Sequence, residues 1–78
     1  MYTFLEYVGA MAITPNDSQN LARRVRGISV NETGDVKLTL AEGSEIVLSC
    51  QAGIIYHGLA ATKIFLTGTS ANGIIGYW

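Results

Sequence analysis

The fold is decided by residues 36–50, which read Val36-Lys37-Leu38-Thr39-Leu40-Ala41-Glu42-Gly43-Ser44-Glu45-Ile46-Val47-Leu48-Ser49-Cys50. Apolar and polar side chains alternate on both sides of Glu42-Gly43-Ser44, which is typical of a β-hairpin with one buried face. To keep the apolar side chains of both strands on one face, the loop must contain an odd number of residues, because a shift of one residue turns every side chain of a strand to the other face. A loop at Glu42-Gly43-Ser44 predicts that three apolar pairs share a face: Val36 with Cys50, Leu38 with Leu48, and Leu40 with Ile46.

The residues before this hairpin extend it to a predicted three-stranded meander from Arg26 to Cys50. Val30 opposite Val36 and Ile28 opposite Leu38 again need an odd loop. Glu32-Thr33-Gly34 provides one, with Gly34 at the position that takes a positive φ. Lys37 and Thr39 then face outward, and the inward side chains are Ile28, Val30, Val36, Leu38, Leu40, Ile46, Leu48 and Cys50.

The rest of the chain continues this pattern of short strands and turns. Runs rich in Val, Ile, Leu and Thr alternate with clusters of Gly, Asn, Asp and Ser, and no stretch sustains a helical period. We predict an all-β fold, a small antiparallel β-sandwich or barrel of about seven short strands. Thr14-Pro15-Asn16-Asp17 should end the first strand. Residues 13–78 are expected to form one β-domain, and residues 1–12 an N-terminal arm or extra strand. The strands are expected near residues 9–14, 26–31, 36–41, 45–50, 54–57, 63–67 and 74–78.

The composition indicates a domain that depends on partner chains. Hydrophobic residues make up 49% of the 78-residue chain and charged residues 14%, and after Glu45 the only formal charge is Lys63. A domain of this size buries a small core and usually needs a disulfide, a metal or a partner subunit. One cysteine excludes an internal disulfide, and one His with one Cys excludes a four-ligand Cys/His zinc site. Oligomerisation is the remaining means of stabilisation.

The same composition argues against several classes of function. A net charge of −1, from five basic and six acidic residues, does not favour nucleic-acid or membrane binding. Cys50 and His57 could form a nucleophile and base, but a buried structural Cys is the simpler interpretation. Five of the six carboxylates, Asp17, Glu32, Asp35, Glu42 and Glu45, lie in or beside turns, without the pattern of a calcium loop. We predict no enzyme activity, no cofactor and no metal site.

Two groups of residues are candidates for contacts with other chains. Arg23 and Arg24 lie in a basic cluster that suits an acidic surface, a phosphate or a neighbouring subunit. Continuous apolar runs such as Ile64-Phe65-Leu66 predict strands covered on both sides, and aromatic residues are frequent in interface cores. Tyr56 and Trp78 could alternatively stack on a sugar. The predicted interface residues are Arg23, Arg24, Phe65, Ile75, Tyr77 and Trp78.

Five short segments, in order and at matching spacing, resemble a family of small tailed-phage virion proteins that includes the spike base proteins of gene transfer agents. The resemblance covers about Ile13 to Trp78. The chain departs from the family in residues 1–12 and at Cys50 and Gln51. The segments are Thr14-Pro15-Asn16-Asp17, Arg26-Gly27-Ile28-Ser29-Val30, Gly34-Asp35-Val36, Ala52-Gly53 and Thr67-Gly68-Thr69-Ser70-Ala71-Asn72-Gly73-Ile74.

The resemblance implies a non-enzymatic virion protein, either a capsid decoration or cement protein or a head-spike base. Such a protein would act on the head surface as a homo-oligomer, with a homotrimer favoured over a pentamer, after assembly in the host cytoplasm. Its expected partners are its own copies, the major capsid protein and a spike or fibre protein, with no nucleic acid and no membrane. The alternatives are a carbohydrate-binding module for host polysaccharide and a tail or baseplate connector.

Overall fold

The computed structural model of the chain describes residues 7–78. These residues form six antiparallel strands in one sheet, in the order β1-β6-β2-β5-β3-β4, and contain no helix that could span a membrane. The all-β prediction is confirmed, with six strands in one sheet where about seven in a sandwich or barrel were expected. The strands are β1 (Ala10–Ile13), β2 (Val25–Ser29), β3 (Gly34–Leu40), β4 (Glu45–Cys50), β5 (Ile55–Ile64) and β6 (Ile74–Tyr77).

The count is lower than predicted because two predicted strands, near residues 54–57 and 63–67, are one strand of ten residues, β5. Gly58 lies within it at a φ of 77°, and the pairing with β2 shifts register between Val25 and Gly27, around this glycine. A glycine at positive φ and an irregular register are features of β-bulges, which bend a strand without ending it. The prediction mistook this irregularity for a turn.

The β3–β4 hairpin confirms the predicted face but not the predicted register. Val36 pairs with Leu48 and Leu38 with Ile46, so each pair is displaced by two residues. A displacement of two keeps every side chain on its face. The loop is Ala41-Glu42-Gly43: Leu40 N–H donates to the Ser44 carbonyl at 2.8 Å, and Gly43 takes a φ of 105°. The glycine thus occupies the left-handed position of a three-residue hairpin.

The predicted meander from β2 to β3 is wrong, because β5 lies between these two strands. Gly34 does not take a positive φ; a Cβ there would lie 2.6 Å from the Ala71 backbone nitrogen. Instead of closing a hairpin, Gly34 allows the chain around Ala71 to approach β3. The bridge between Glu32 and Asn72 continues this contact.

The segment Thr69-Ser70-Ala71 supplies β3 with hydrogen-bond partners beyond the end of β5. Asp35 N–H donates to Ser70 Oγ at 2.9 Å, and Lys37 N–H donates to Thr69 Oγ1 at 3.0 Å. The Asp35 carbonyl accepts from Ser70 N–H at 2.8 Å. Hydroxyl groups here replace backbone carbonyls as partners of an otherwise open ladder. Thr69 and Ser70 have this structural role within the family-like segment 67–74.

The core lies on one face of the sheet and consists of side chains that alternate along the strands with exposed ones. Ile28, Leu38 and Ile64 are the largest fully buried side chains. Pro15 lies two residues after the end of β1, and Asn16 Oδ1 accepts from Ser18 and Gln19 N–H, which confirms the predicted turn. The remaining core residues are Ile13, Val25, Val30, Val36, Cys50, Ala61, Ala71 and Ile74.

Candidate docking face

Eight residues on the outward surface of β1, β6, β2 and the start of β5 carry no formal charge. The charge of Arg26 lies beside them, with its guanidinium 5.2 Å from the centre of the Tyr7 ring. The register aligns two rows across these strands, one through Ala12, Ile75, Ser29 and Ile55, the other through Ala10, Tyr77, Gly27 and His57. Both rows face outward, because Ile13, Ile28 and Ile74, which alternate with them, belong to the core. We name this surface the neutral face; its residues are Ala10, Ala12, Gly27, Ser29, Ile55, His57, Ile75 and Tyr77.

The outward surface of β3, β4 and the end of β5 is charged by contrast. Lys37 Nζ lies 3.9 Å from Glu45 Oε1, the one ion pair seen among residues 7–78. The Lys37 and Lys63 ammonium groups lie 4.8 Å and 4.6 Å from the centre of the Phe65 ring. The sheet therefore presents two outward surfaces of different character, and the neutral one suits contact with another apolar protein surface.

Aromatic side chains on the neutral face are held in place by one another. The Tyr7 ring is stacked on His57 with centroids 5.8 Å apart and tilted against Tyr77 at 5.3 Å. Tyr7 Oη lies 2.5 Å from His57 Nδ1, and Ser29 Oγ lies 2.9 Å from Tyr77 Oη. A Cβ on Gly27 would meet Tyr7 Oη at 2.5 Å and the Tyr56 carbonyl oxygen at 3.0 Å, so a larger residue would displace this ring. Fixed aromatic rings lose little conformational entropy when a partner binds.

A groove of about 600 Å³ lies beside these rings. Ile55, Ile75 and Tyr77 supply its apolar walls, and Ala12 and Ser29 provide the low surface between them. Ile75 is 37% exposed in the isolated chain. Small residues between large apolar ones give a concave surface into which a partner's side chain can pack.

The structure does not bring the six predicted interface residues together. Ile75 and Tyr77 lie on the neutral face, and Phe65 lies beside Lys37 and Lys63 on the charged surface. The Arg23 guanidinium lies 4.4 Å above the half-buried Trp78 ring, which packs against the core. Arg24 is exposed in the loop before β2. Residues 1–6, which are half of the predicted arm, lie outside the described residues.

Sequence reasoning missed Tyr7, Gly27 and Ser29 as parts of this face. The sequence feature that could have indicated these residues is the stretch Arg26-Gly27-Ile28-Ser29, in which two small residues alternate with a large apolar one. Such a strand has one side that leaves space for a covering group. Tyr7 is far from Gly27 in sequence, so only the fold shows what covers the glycine.

Cys50 and His57 do not form a catalytic pair. Cys50 faces the core, where burial and the nearby Asp35 charge raise the pKa of its thiol. His57 lies on the opposite face of the sheet, against Tyr7. A buried thiol with a raised pKa is a weak nucleophile. Residues 7–78 also contain no group of three or more His, Cys, Asp or Glu side chains placed to hold a metal ion.

Tyr56 and Trp78, considered above as sugar-stacking rings, are both half-buried and pack against the core. Tyr56 Oη accepts a hydrogen bond from Gln51 N–H at 2.8 Å. A stacking platform needs ring faces open to solvent and polar groups that converge beside them. The two rings do not form such a platform in this fold.

Asp17 fastens the loop after β1 to the loop after β5. Its carboxylate accepts hydrogen bonds from Thr67 N–H at 2.9 Å, Thr67 Oγ1 at 2.7 Å and Leu66 N–H at 3.0 Å. The bonds from Thr67, the Leu66 bond and the Lys63 charge hold the Asp17 pKa below its usual value. Both loops belong to the family-like motifs in the sequence, and Asp17 joins them.

We expect Asp17→Asn to lower the melting temperature at neutral pH and to have little effect in acid. Because the folded-state pKa of Asp17 is lowered, its charge stabilises the fold above the ordinary carboxyl pKa. That contribution is lost as the pH falls through the lowered value. Thermal melts of parent and variant at neutral and acidic pH test this, with exposed Glu32→Gln as the control. A constant difference at every pH would contradict it.

Comparisons with known proteins agree with the sequence motifs. No protein-family model matches the chain, and no curated protein matches it. Among solved structures, one chain with a TM-score of 0.83 and 32% sequence identity belongs to the capsid of a native GTA (gene transfer agent) particle computed with C5 symmetry. The alignment covers 94% of this chain and 84% of that chain.

The fold and the neutral face define a class: a small all-β domain built around one antiparallel sheet, with a largely uncharged surface suited to protein contacts. Similarity over nearly the whole length then identifies the family. The chain belongs to the family of small virion proteins of tailed phages and gene transfer agents.

Proposed function

We propose that this chain is a structural protein of a phage-type particle, placed on the head surface as a capsid decoration or cement protein or as a head-spike base. The observation that carries the proposal is the 32% identity and TM-score of 0.83 to a chain of the GTA capsid particle. The proposed role is non-enzymatic, which agrees with the separation of Cys50 and His57 on opposite faces of the sheet.

The neutral face is the proposed contact with the head shell. A surface whose two strand rows carry no charge gains from contact with an apolar partner and loses little by desolvation. Ile75 and Tyr77, both predicted as interface residues, lie at its centre beside the groove. The proposed partner at this face is the major capsid protein. A spike or fibre protein is a further proposed partner, on the side of the protein that points away from the shell.

The proposed mechanism is mechanical. A protein that binds the assembled shell and not its free subunits stabilises the shell by mass action. The protein acts as a homo-oligomer that bridges neighbouring shell subunits. A closed symmetric ring is expected; three copies suit a three-fold position on a shell and five copies a vertex. Assembly takes place in the host cytoplasm.

Addition of the purified protein to heads that lack it tests this proposal. We expect saturable binding in a co-sedimentation assay, a higher temperature of head disassembly, and extra density on the head surface in a reconstructed map. Density at the tail or baseplate, with no binding to heads, would favour the connector alternative and refute the head role. Binding to host polysaccharide in the absence of head binding would favour the carbohydrate-binding alternative.

A further inference from the structure

Among the described strands, the sheet has two open edges. β1 and β4 are the outer strands, and within residues 7–78 each pairs with one neighbour only, β6 and β3 respectively. An open edge presents unpaired N–H and C=O groups that can bind another strand.

Hydrogen-bond alternation shows which residues of β4 face its open edge. Leu40 N–H donates to the Ser44 carbonyl, so these two form a hydrogen-bonded pair of the hairpin. Hydrogen-bonded and non-bonded pairs alternate along an antiparallel ladder. Lys37, opposite Val47, accordingly directs its carbonyl to Phe65 N–H at 2.9 Å, away from β4. The backbone groups of residues 45, 47 and 49 therefore face the open edge.

The alternation of hydrogen-bonded pairs also shows which residues of β1 face its open edge. Trp78 N–H donates to the Gly9 carbonyl at 3.0 Å, and Gly9 N–H donates back to the Trp78 carbonyl at 3.3 Å. Gly9 and Trp78 are therefore a hydrogen-bonded pair, and the alternation along β1 turns the backbone groups of Ala10 and Ala12 to the other side. Both alanine side chains are exposed and small.

Neither edge carries the usual protection against strand addition. Charges, prolines and bulges commonly guard open edges. β1 has none of these, and in β4 Glu45 at the first position is the only charge. Val47 is 58% exposed on the outward side, and Ile46 and Leu48 are half-buried on the inward side. The core is thus incompletely covered at β4, and an added strand would complete it.

The direction of the strands indicates the partner. Six alternating antiparallel strands place β1 and β4 in opposite directions. When a second copy is placed head to tail, with its strands along the same axis, its β1 lies antiparallel to β4 of the first. Antiparallel pairing is the more stable kind. The two edges also match in charge, since neither Ala10–Ile13 nor residues 46–50 contain an ionised group.

We infer that β4 of one copy pairs with β1 of the next and extends the sheet from copy to copy. Because the contact joins two different surfaces, it is heterologous and repeats until the rotation closes a ring. The inference rests on the homo-oligomeric part of the proposed function and names the strands that form the contact. Head binding through the neutral face is separate from it.

Proline substitutions at the two edges test the inference. Val47→Pro removes the β4 donor at the open edge and spares the bonds to β3, and Ala12→Pro does the same on β1. We expect each proline variant to associate about tenfold or more weakly than the parent in sedimentation velocity. Val47→Thr and Ala12→Thr retain the N–H and should assemble like the parent. Circular dichroism and thermal melts check that the proline variants are folded.

The two variants together distinguish head-to-tail pairing from a two-fold pairing of β4 with β4. Loss of assembly in both variants supports the inference. Loss in Val47→Pro alone, with normal assembly of Ala12→Pro, overturns it in favour of the two-fold dimer. A parent protein that stays monomeric also overturns it, and if that monomer still binds heads, the head-binding part of the proposed function survives.

Disulfide trapping provides a second measurement if a proline variant fails to fold. In a Cys50→Ala background, we expect Ala12→Cys and Val47→Cys proteins to cross-link when mixed but not alone. A chain with both cysteines should give a ladder on non-reducing gels that ends at the ring size, three or five. Cross-linking of Val47→Cys with itself, without any mixed product, would overturn the inference.

Discussion

Replacing Leu38 with alanine is expected to lower the free energy of unfolding by about 2–5 kcal/mol. Leu38 is fully buried in β3, between Ile46 of β4 and Ile64 of β5 in the ladder. The substitution removes apolar contacts and leaves a cavity that the flanking strands cannot close. A domain of 78 residues has a total stability of about 4–12 kcal/mol. The variant should therefore be partly or wholly unfolded at moderate temperature.

Leu66→Ala is the matched control, because the same atoms are removed from a side chain that is 61% exposed. Chemical denaturation of both variants gives the comparison, with the change for Leu66→Ala expected within about 0.5 kcal/mol. Equal effects of the two substitutions would show that the core does not lie where the sheet places it. In an oligomer the apparent stability depends on concentration, so both variants are measured at one low concentration.

The sequence predicted local features of the fold well. Alternation around Gly43 identified the hairpin, its odd loop and its buried face, because these depend on a period of two. The predicted register was displaced by two residues, because apolar and polar residues alternate in the same way after a shift of two. The register depends on which loop position the glycine with positive φ occupies, and Gly43 is the last of the three loop residues.

The order of strands was beyond the sequence. Short loops favour pairing of consecutive strands, so β2 was assigned next to β3, whereas β5 pairs with both. The decisive interactions are long-range: Ser70 and Thr69 hydroxyls reach β3, and the Asp17 carboxylate reaches Thr67. Such contacts between distant segments leave no periodic signal in one sequence.

The candidate site was predicted in part, for a related reason. Ile75 and Tyr77 were selected because apolar runs near the end of the chain exceed what a small core can hold. The runs contain no information on which side of the sheet each residue takes. In the fold Ile74 is buried and Ile75 exposed, whereas Trp78, also selected, packs against the core.

Replacing Ile75 with lysine is expected to reduce affinity for heads that lack the protein by about thirtyfold or more. Ile75 lies at the centre of the neutral face, between Ala12 and Ser29, and lines the groove beside Tyr77. A lysine there places an ammonium group where docking would remove water, and no carboxylate of the face can pair with it. The folded monomer should tolerate the change, because the lysine projects into solvent before binding.

Leu66→Lys is the control for this variant. It introduces the same charge at an exposed apolar position outside the neutral face, so head binding should match that of the parent. Co-sedimentation with heads measures both, and sedimentation velocity of the free proteins shows whether ring assembly is retained. Because Ile75 lies in β6, which is paired with β1 on one side and β2 on the other, the lysine variant should still form the ring. Head binding by Ile75→Lys at the parent's affinity would remove the neutral face as the docking surface and direct attention to Arg23, Arg24 and Phe65.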